Sequence, residues 1–275
     1  MRSPSAYIVV EGGIAMARMG KNEKNGPGLL FIVVTLIVVA VVGARFFGFM
    51  PGGGEEEEPL PPVVRTEDPQ PPQGDEEVDI VPKVLVFHSH ASENYKPKDS
   101  HERGAYGDIV RVGEAFVAEL ASLGVGAVHD KSLHDQPRYS EAFINSEKKA
   151  NELLAANPTI EIVLDIHRDG LEDKPDDYTK ARANGSDVAK ILFVVGDKDN
   201  DHLEANIEFA QTISDAMEKE YPGVSRGVRV FKSDYSGELH PNSIMVLIGD
   251  WRGNTIDEAM ASARILARVI ATLLE

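Results

Sequence analysis

From residue 83 onward the apolar positions follow two rhythms. Short unbroken runs occupy residues 83–87, 125–128, 160–166, 189–195, 228–232 and 243–248. Continuous apolar runs of this length predict strands buried on both faces. Between them the spacing turns helical. Ile109, Val112, Phe116, Val117 and Leu120 share one face of a helix predicted over residues 108–123. A second helix is predicted over 139–156, stopping at Asn157-Pro158, and a third over 201–221, stopping at Pro222-Gly223. The last, over 255–274, has Thr255 as its N-cap and Glu258 three residues on, a capping-box pattern. Strand and helix alternate across residues 83–275, which predicts one α/β domain with a mainly parallel sheet flanked by helices.

The pattern before residue 83 is different in kind. Residues 29–50 read LLFIVVTLIVVAVVGARFFGFM, interrupted only by Arg45 near one end. A bilayer core takes roughly 20 apolar residues, and an arginine near the end can snorkel to the headgroups. The run has none of the polar face of an amphipathic core helix, and no small-x-small cleavage site follows it. It is therefore expected to be a retained transmembrane helix. Arg18, Lys21 and Lys24 precede it, so residues 1–28 are expected to be an unstructured cytoplasmic segment. The rest of the chain is then outside, on a single-pass cell-membrane protein. Residues 51–82 are proline-rich and acidic, the composition of a stiff, self-repelling linker.

Composition narrows the chemistry. The chain has 275 residues, 42% of them apolar, no cysteine and a formal charge of −17. Without cysteine there is no disulfide framework, thiolate metal site or thiol nucleophile. The acidic balance argues against a nucleic-acid partner, which would need a basic face. There is no Gly-x-Ser-x-Gly elbow and no phosphate loop.

What remains is at two strand ends. Val84-Leu85-Val86-Phe87 is followed by His88, His90 and Glu93, and Ile162-Val163-Leu164 by Asp165, His167, Arg168 and Asp169. Strand ends of an open α/β sheet are where such folds bind ligands. Alternate residues on a strand share a face, so His88 and His90 are both expected to approach one metal ion if the strand stays regular. Imidazoles and a carboxylate suit a catalytic zinc, and His167 from the second strand end completes the set. The carboxylate is Glu93 or Glu102. Asp165 either orients His167 from behind or is satisfied by backbone amides. Arg168 has the fork geometry to hold a carboxylate-bearing substrate, or it pairs with Asp169. His101, His129, His134, His202 and His240 read as loop and surface residues.

Six stretches in order resemble the stage II sporulation protein P family of zinc-dependent N-acetylmuramoyl-L-alanine amidases. They are KVLVFHSHASENY, DIVRVGEAFVAEL, VHDKSLHDQPRYSEAF, EIVLDIHRDG, KILFVVG and EKEYPGVSRGVRVFKSDYSGELHPNSIMVLIG with its following GNTIDEA. The resemblance implies hydrolysis of the amide between N-acetylmuramic acid and L-alanine in peptidoglycan, and cleavage within stem peptides. It implies Zn²⁺ on His88 or His90, Glu93 and His167, with His90 the more natural match of the pair. It also implies a septal complex with other cell-wall hydrolases and membrane proteins, such as stage II sporulation proteins D and M. The chain departs from the family at Leu247, where a glutamate is expected as general base, and at Tyr235-Ser236-Gly237-Glu238, where Tyr-Asn-Gln is expected. Asp250 is the expected substitute for that glutamate, ahead of Glu238, Glu102 and Asp169. The other reading is a degenerate relative that binds peptidoglycan or recruits hydrolases without cutting.

Overall fold

A computed structural model of the chain describes residues 8–10 and 80–275. The predicted transmembrane helix at 29–50 and nearly all of the predicted linker lie outside the described residues. Among the described residues no helix is long and apolar enough to cross a membrane. One correction concerns the N-terminal segment, expected to be unstructured: Ile8–Val10 forms a short strand, β1, paired with a strand of the domain.

The domain begins with β2 (Pro82–Phe87), α1 (Asp108–Ser122), β3 (Gly126–His129), α2 (Ala142–Ala156) and β4 (Ile162–Asp169). A two-stranded hairpin follows, β5 (Lys180–Ala183) and β6 (Ser186–Ala189). Then come β7 (Ile191–Gly196), α3 (Leu203–Glu220), β8 (Ser225–Phe231), β9 (Ser243–Asp250) and α4 (Ile256–Leu274). The main sheet has the order β1-β8-β7-β9-β4-β2-β3. All its neighbours are parallel except β7 and β9. The hairpin explains that exception. A crossover helix would return the chain to the sheet's other end. Instead β5 and β6 leave β7 starting where β4 stopped, so β7 runs the opposite way.

The hairpin was not among the predicted elements. Its turn is Asn184-Gly185, both with positive φ (52° and 80°), the backbone a tight two-residue turn requires. Lys190 separates β6 from β7, so the apolar run at 189–195 is two elements.

Residues of β4 alternate between two covers, and all eight are buried. Ile162, Leu164 and Ile166 face the large core formed with α1, α3 and α4. Val163 faces the other way, against Ala150 and Leu154 of α2. By the same period, Asp165 and His167 belong to the α2 face. The connection after β2 leads to β3 on one side, and the connection after β3 returns to β4 on the other. The crevice between the β2 and β4 ends is therefore a topological switch point.

Candidate metal centre

His167 is the hub of the crevice. Its Nε2 lies 2.8 Å from Asp165 Oδ1 and 2.8 Å from Ser89 Oγ, and its Nδ1 lies 3.2 Å from Glu93 Oε2. Asp165 also accepts the backbone N–H of Ser89 at 2.9 Å and its hydroxyl at 2.8 Å. Burial alone would lower the His167 pKa, but the carboxylates of Asp165 and Glu93 outweigh it and push it up to about 10. Burial would raise Glu93; the charges of Arg168 and His167 outweigh that and hold it well below the usual carboxylate range. Asp165 is lowered in the same way, by His167 against burial.

His90 completes the group. Its ring centroid is 5.3 Å from that of His167, 4.3 Å from Tyr139 and 5.2 Å from Phe143. Its Nδ1 is buried without a hydrogen-bond partner among the described residues. Burial, then the neighbouring His167, lowers its pKa to about 3, so the ring is a neutral lone-pair donor near neutrality.

The loop after β2 is what brings Glu93 back to His167. The strand stops at Phe87, and residues 89–92 turn. Gly107, just before α1, donates to Ala91 O at 2.7 Å, and Ile109 N donates to Glu93 O at 3.0 Å. A Cβ at Gly107 would sit 2.2 Å from Glu93 O, so only glycine lets α1 begin this close to the loop. Asn94 Oδ1 accepts from Asp108 N at 2.9 Å, and Tyr95 donates to Ile248 O at 2.7 Å.

The remaining predicted residues are placed differently. His88 is not in the crevice. Because the strand ends at Phe87, the alternation expected for His88 and His90 fails, and His88 lies beside Gly113 of α1. Its Nδ1 donates to Ile166 O at 2.7 Å and its Nε2 is 2.9 Å from His129 Nε2. Arg168 is almost wholly buried and committed to structure. Its Nη1 is 3.3 Å from Glu93 Oε1, and its other nitrogens donate to Asn94 O at 3.3 Å, Ser100 O at 2.8 Å and Ser100 Oγ at 2.9 Å. It positions Glu93 and the loop. Asp250 accepts Leu171 N at 2.7 Å, Gly253 N at 2.9 Å and Arg252 N at 3.0 Å. Both its oxygens thus close loops, which leaves it poorly suited to the proton-accepting role expected of it. Glu102 donates its backbone N–H to Ser92 O at 2.7 Å. Leu247 stands opposite His167 in strand register and is fully buried, with Met245 and Leu192 in one apolar cluster.

His101 was read as a loop histidine, yet it sits at the centre. Its backbone pairs with that of Glu93 in an isolated antiparallel bridge, its ring is 5.5 Å from Tyr139, and its Nε2 is 3.5 Å from Arg168 Nη2. Burial, then Arg168, lowers its pKa. No spacing rule marks it, because a loop reversal delivers it.

His90, Glu93 and His167 are of the types that bind a metal ion, although their donor atoms do not all lie within 4.8 Å of one another. His90 Nδ1 is buried without a hydrogen-bond partner, Glu93 Oε1 has only the Arg168 ion pair at 3.3 Å, and His167 turns Nδ1 towards Glu93 while Asp165 occupies Nε2. Two imidazoles and a carboxylate, one imidazole backed by a second carboxylate, are donor types that catalytic zinc sites use. A separate acidic group, Glu147, Asp234 and Glu238, has carboxylate oxygens within 4.8 Å of one another.

Fold and cluster together define an α/β protein with a buried histidine–carboxylate cluster at the switch point of its sheet. The sequence model of stage II sporulation protein P matches residues 54–271, and the chain belongs to that family. It is 28% identical over 224 residues to the stage II sporulation protein P of Bacillus subtilis (strain 168), a match covering 75% of this chain and 53% of that protein. The chain thus spans about half the length of the curated relative it matches. Two solved structures are similar. The N-acetylmuramoyl-L-alanine amidase AmiC2 of Nostoc punctiforme is 16% identical, with a TM-score of 0.44 over 70% of this chain and 93% of that one. The CwlD amidase from Clostridioides difficile, in complex with the GerS lipoprotein, is 12% identical, with a TM-score of 0.46 over 70% of this chain and 100% of that one.

Proposed function

We propose that this chain is a zinc-dependent peptidoglycan hydrolase that cleaves the amide between N-acetylmuramic acid and L-alanine. The observation that carries the proposal is the convergence of His90, Glu93 and His167, with the orphaned His90 Nδ1, in a member of the stage II sporulation protein P family. His90, Glu93 and His167 hold the ion. When bound, zinc polarises the scissile carbonyl and acidifies a water. Asp165 and Ser89 orient the His167 ring through its Nε2, and Arg168 keeps Glu93 ionised and in place. Tyr139 and Phe143 wall off His90 from one side. Proton transfer falls to a group other than residue 247, since leucine carries no proton. In this reading His101, a neutral ring 5.5 Å from Tyr139 and with its Nε2 3.5 Å from Arg168, takes it.

In the same proposal, residues 29–50 hold the protein in the cell membrane and residues 51–82 space the catalytic domain outside; the pairing of Ile8–Val10 with β8 argues against the cytoplasmic N-terminus expected from the sequence, since one sheet cannot have strands on both sides of a bilayer. Its partners are other cell-wall hydrolases and membrane proteins of a septal complex. Leu247 favours a second reading, a protein that binds peptidoglycan or recruits hydrolases without cutting, because the strand position facing His167 has no carboxylate.

Incubation of the full chain, in detergent and with zinc, with purified peptidoglycan separates the two. Release of peptides with a free L-alanine amine, abolished by a chelator and detected by mass spectrometry, is the expected result. No product, while a known amidase digests the same material, would leave the recruiting reading.

A further inference from the structure

The face of the sheet that carries His167 continues across three further strands. Leu247 of β9 stands opposite His167, Leu192 of β7 stands opposite Leu247, and Arg229 of β8 stands opposite Val194 of β7. A cavity of about 170 Å³ opens there. Leu192, Leu247 and Phe231 give it an apolar lining, and Asp169 and Arg229 contribute its charges. The two charges are not equivalent. Asp169 is committed: its Oδ2 accepts from Arg226 at 2.9 Å and its Oδ1 from Gly170 N at 2.9 Å. Among the described residues, no hydrogen bond or ion pair engages the half-buried Arg229. The cavity therefore combines an apolar floor with one uncompensated guanidinium, beginning one strand away from the metal cluster.

We propose that this cavity is a specificity subsite in which Arg229 binds a carboxylate of an acidic peptide whose scissile amide lies at His90, Glu93 and His167. The proposal rests on the reading of the chain as a peptidoglycan hydrolase and names what that site selects. β8 is three strands from β4. At about 4.8 Å per strand, their backbones are roughly 14 Å apart. The arginine side chain takes up part of that gap, and a dipeptide at roughly 3.5 Å per residue spans much of the rest. A guanidinium grips a carboxylate through two parallel hydrogen bonds, and an amide in the same place cannot match it. Leu247 then has a positive role. Where a glutamate would put a negative charge into the cavity, leucine gives a floor for a small side chain and leaves Arg229 unneutralised.

The test is equilibrium binding to the metal-free full chain in chelator, so that nothing is cut. The probes are N-acetylmuramoyl-L-alanyl-D-glutamate and the same compound with both carboxylates amidated. The wild-type chain is expected to bind the acid about tenfold or more tightly than the diamide. Arg229→Ala should bind the two alike, and Arg229→Lys should keep part of the preference. Equal binding of both probes by wild type, an Arg229→Ala chain that still discriminates, or no binding of either probe overturns the subsite. Digestion of peptidoglycan is scored separately, so the subsite and the hydrolase reading fail independently.

Discussion

Glu147 lies one helical turn beyond Phe143, among the carboxylates of Asp234 and Glu238. Burial, then the charges of Glu238 and Asp234, pushes its pKa up to about 8 from an ordinary 4.5. The folded chain thus holds a proton that the unfolded chain releases above pH ~4.5. Its contribution to stability is fully present below that pH and is lost as pH rises through about 8. Glu147→Gln removes the titration. Urea unfolding at several values from pH 5 to 8 should show wild type losing stability towards pH 8 and the variant losing less; parallel curves would refute the assignment. At this scale the sequence was informative where geometry is local. His90, Glu93 and His167 are legible because they follow apolar strands, and Asp165 because it is two residues from His167. His88 was misplaced because its direction depends on where β2 stops, a boundary that periodicity does not fix. His101 was missed because its approach to Arg168 depends on a loop folding back. The structural duties of Asp250 and Arg168 lie in hydrogen bonds to segments distant in sequence, which no motif encodes.

At the scale of elements, the firmest sequence signal was the start of α4. Thr255 accepts from Glu258 N at 3.3 Å, and Glu258 Oε2 accepts from Thr255 N at 3.0 Å and from Asn254 at 2.9 Å. Thr255→Ala leaves the Glu258 N–H without its side-chain acceptor, and chemical denaturation should show a loss of about 1 kcal/mol. A loss below a few tenths would mean that the packed face of α4, not its cap, fixes the helix start. Apolar runs located the strands because both faces of this sheet are covered. They were silent on direction. Nothing in Ile191–Gly196 says that it runs against Ser243–Asp250. The sign was in the connection, where Asn184-Gly185 marks a hairpin in place of a crossover helix.

For the whole molecule, the sheet's two parallel blocks meet at β7 and β9, beside the β4 end that carries His167. The switch point gathers the proposed metal ligands, and the antiparallel seam carries the cavity that ends in Arg229. The α/β class and the pairing of two strand ends were readable from alternation and strand-end chemistry. Family membership follows from six weak motifs in the right order, together with the match over residues 54–271. The seam was not readable, because it needs the strand order.

The most direct test of the central claim, one metal ion held by His90, Glu93 and His167, is zinc stoichiometry after dialysis, measured by elemental analysis on the full chain. Wild type and His88→Ala should each retain about one zinc per chain, and His90→Ala should retain almost none, with folding checked by circular dichroism. Zinc lost from a folded His88→Ala chain and kept by His90→Ala would contradict the account.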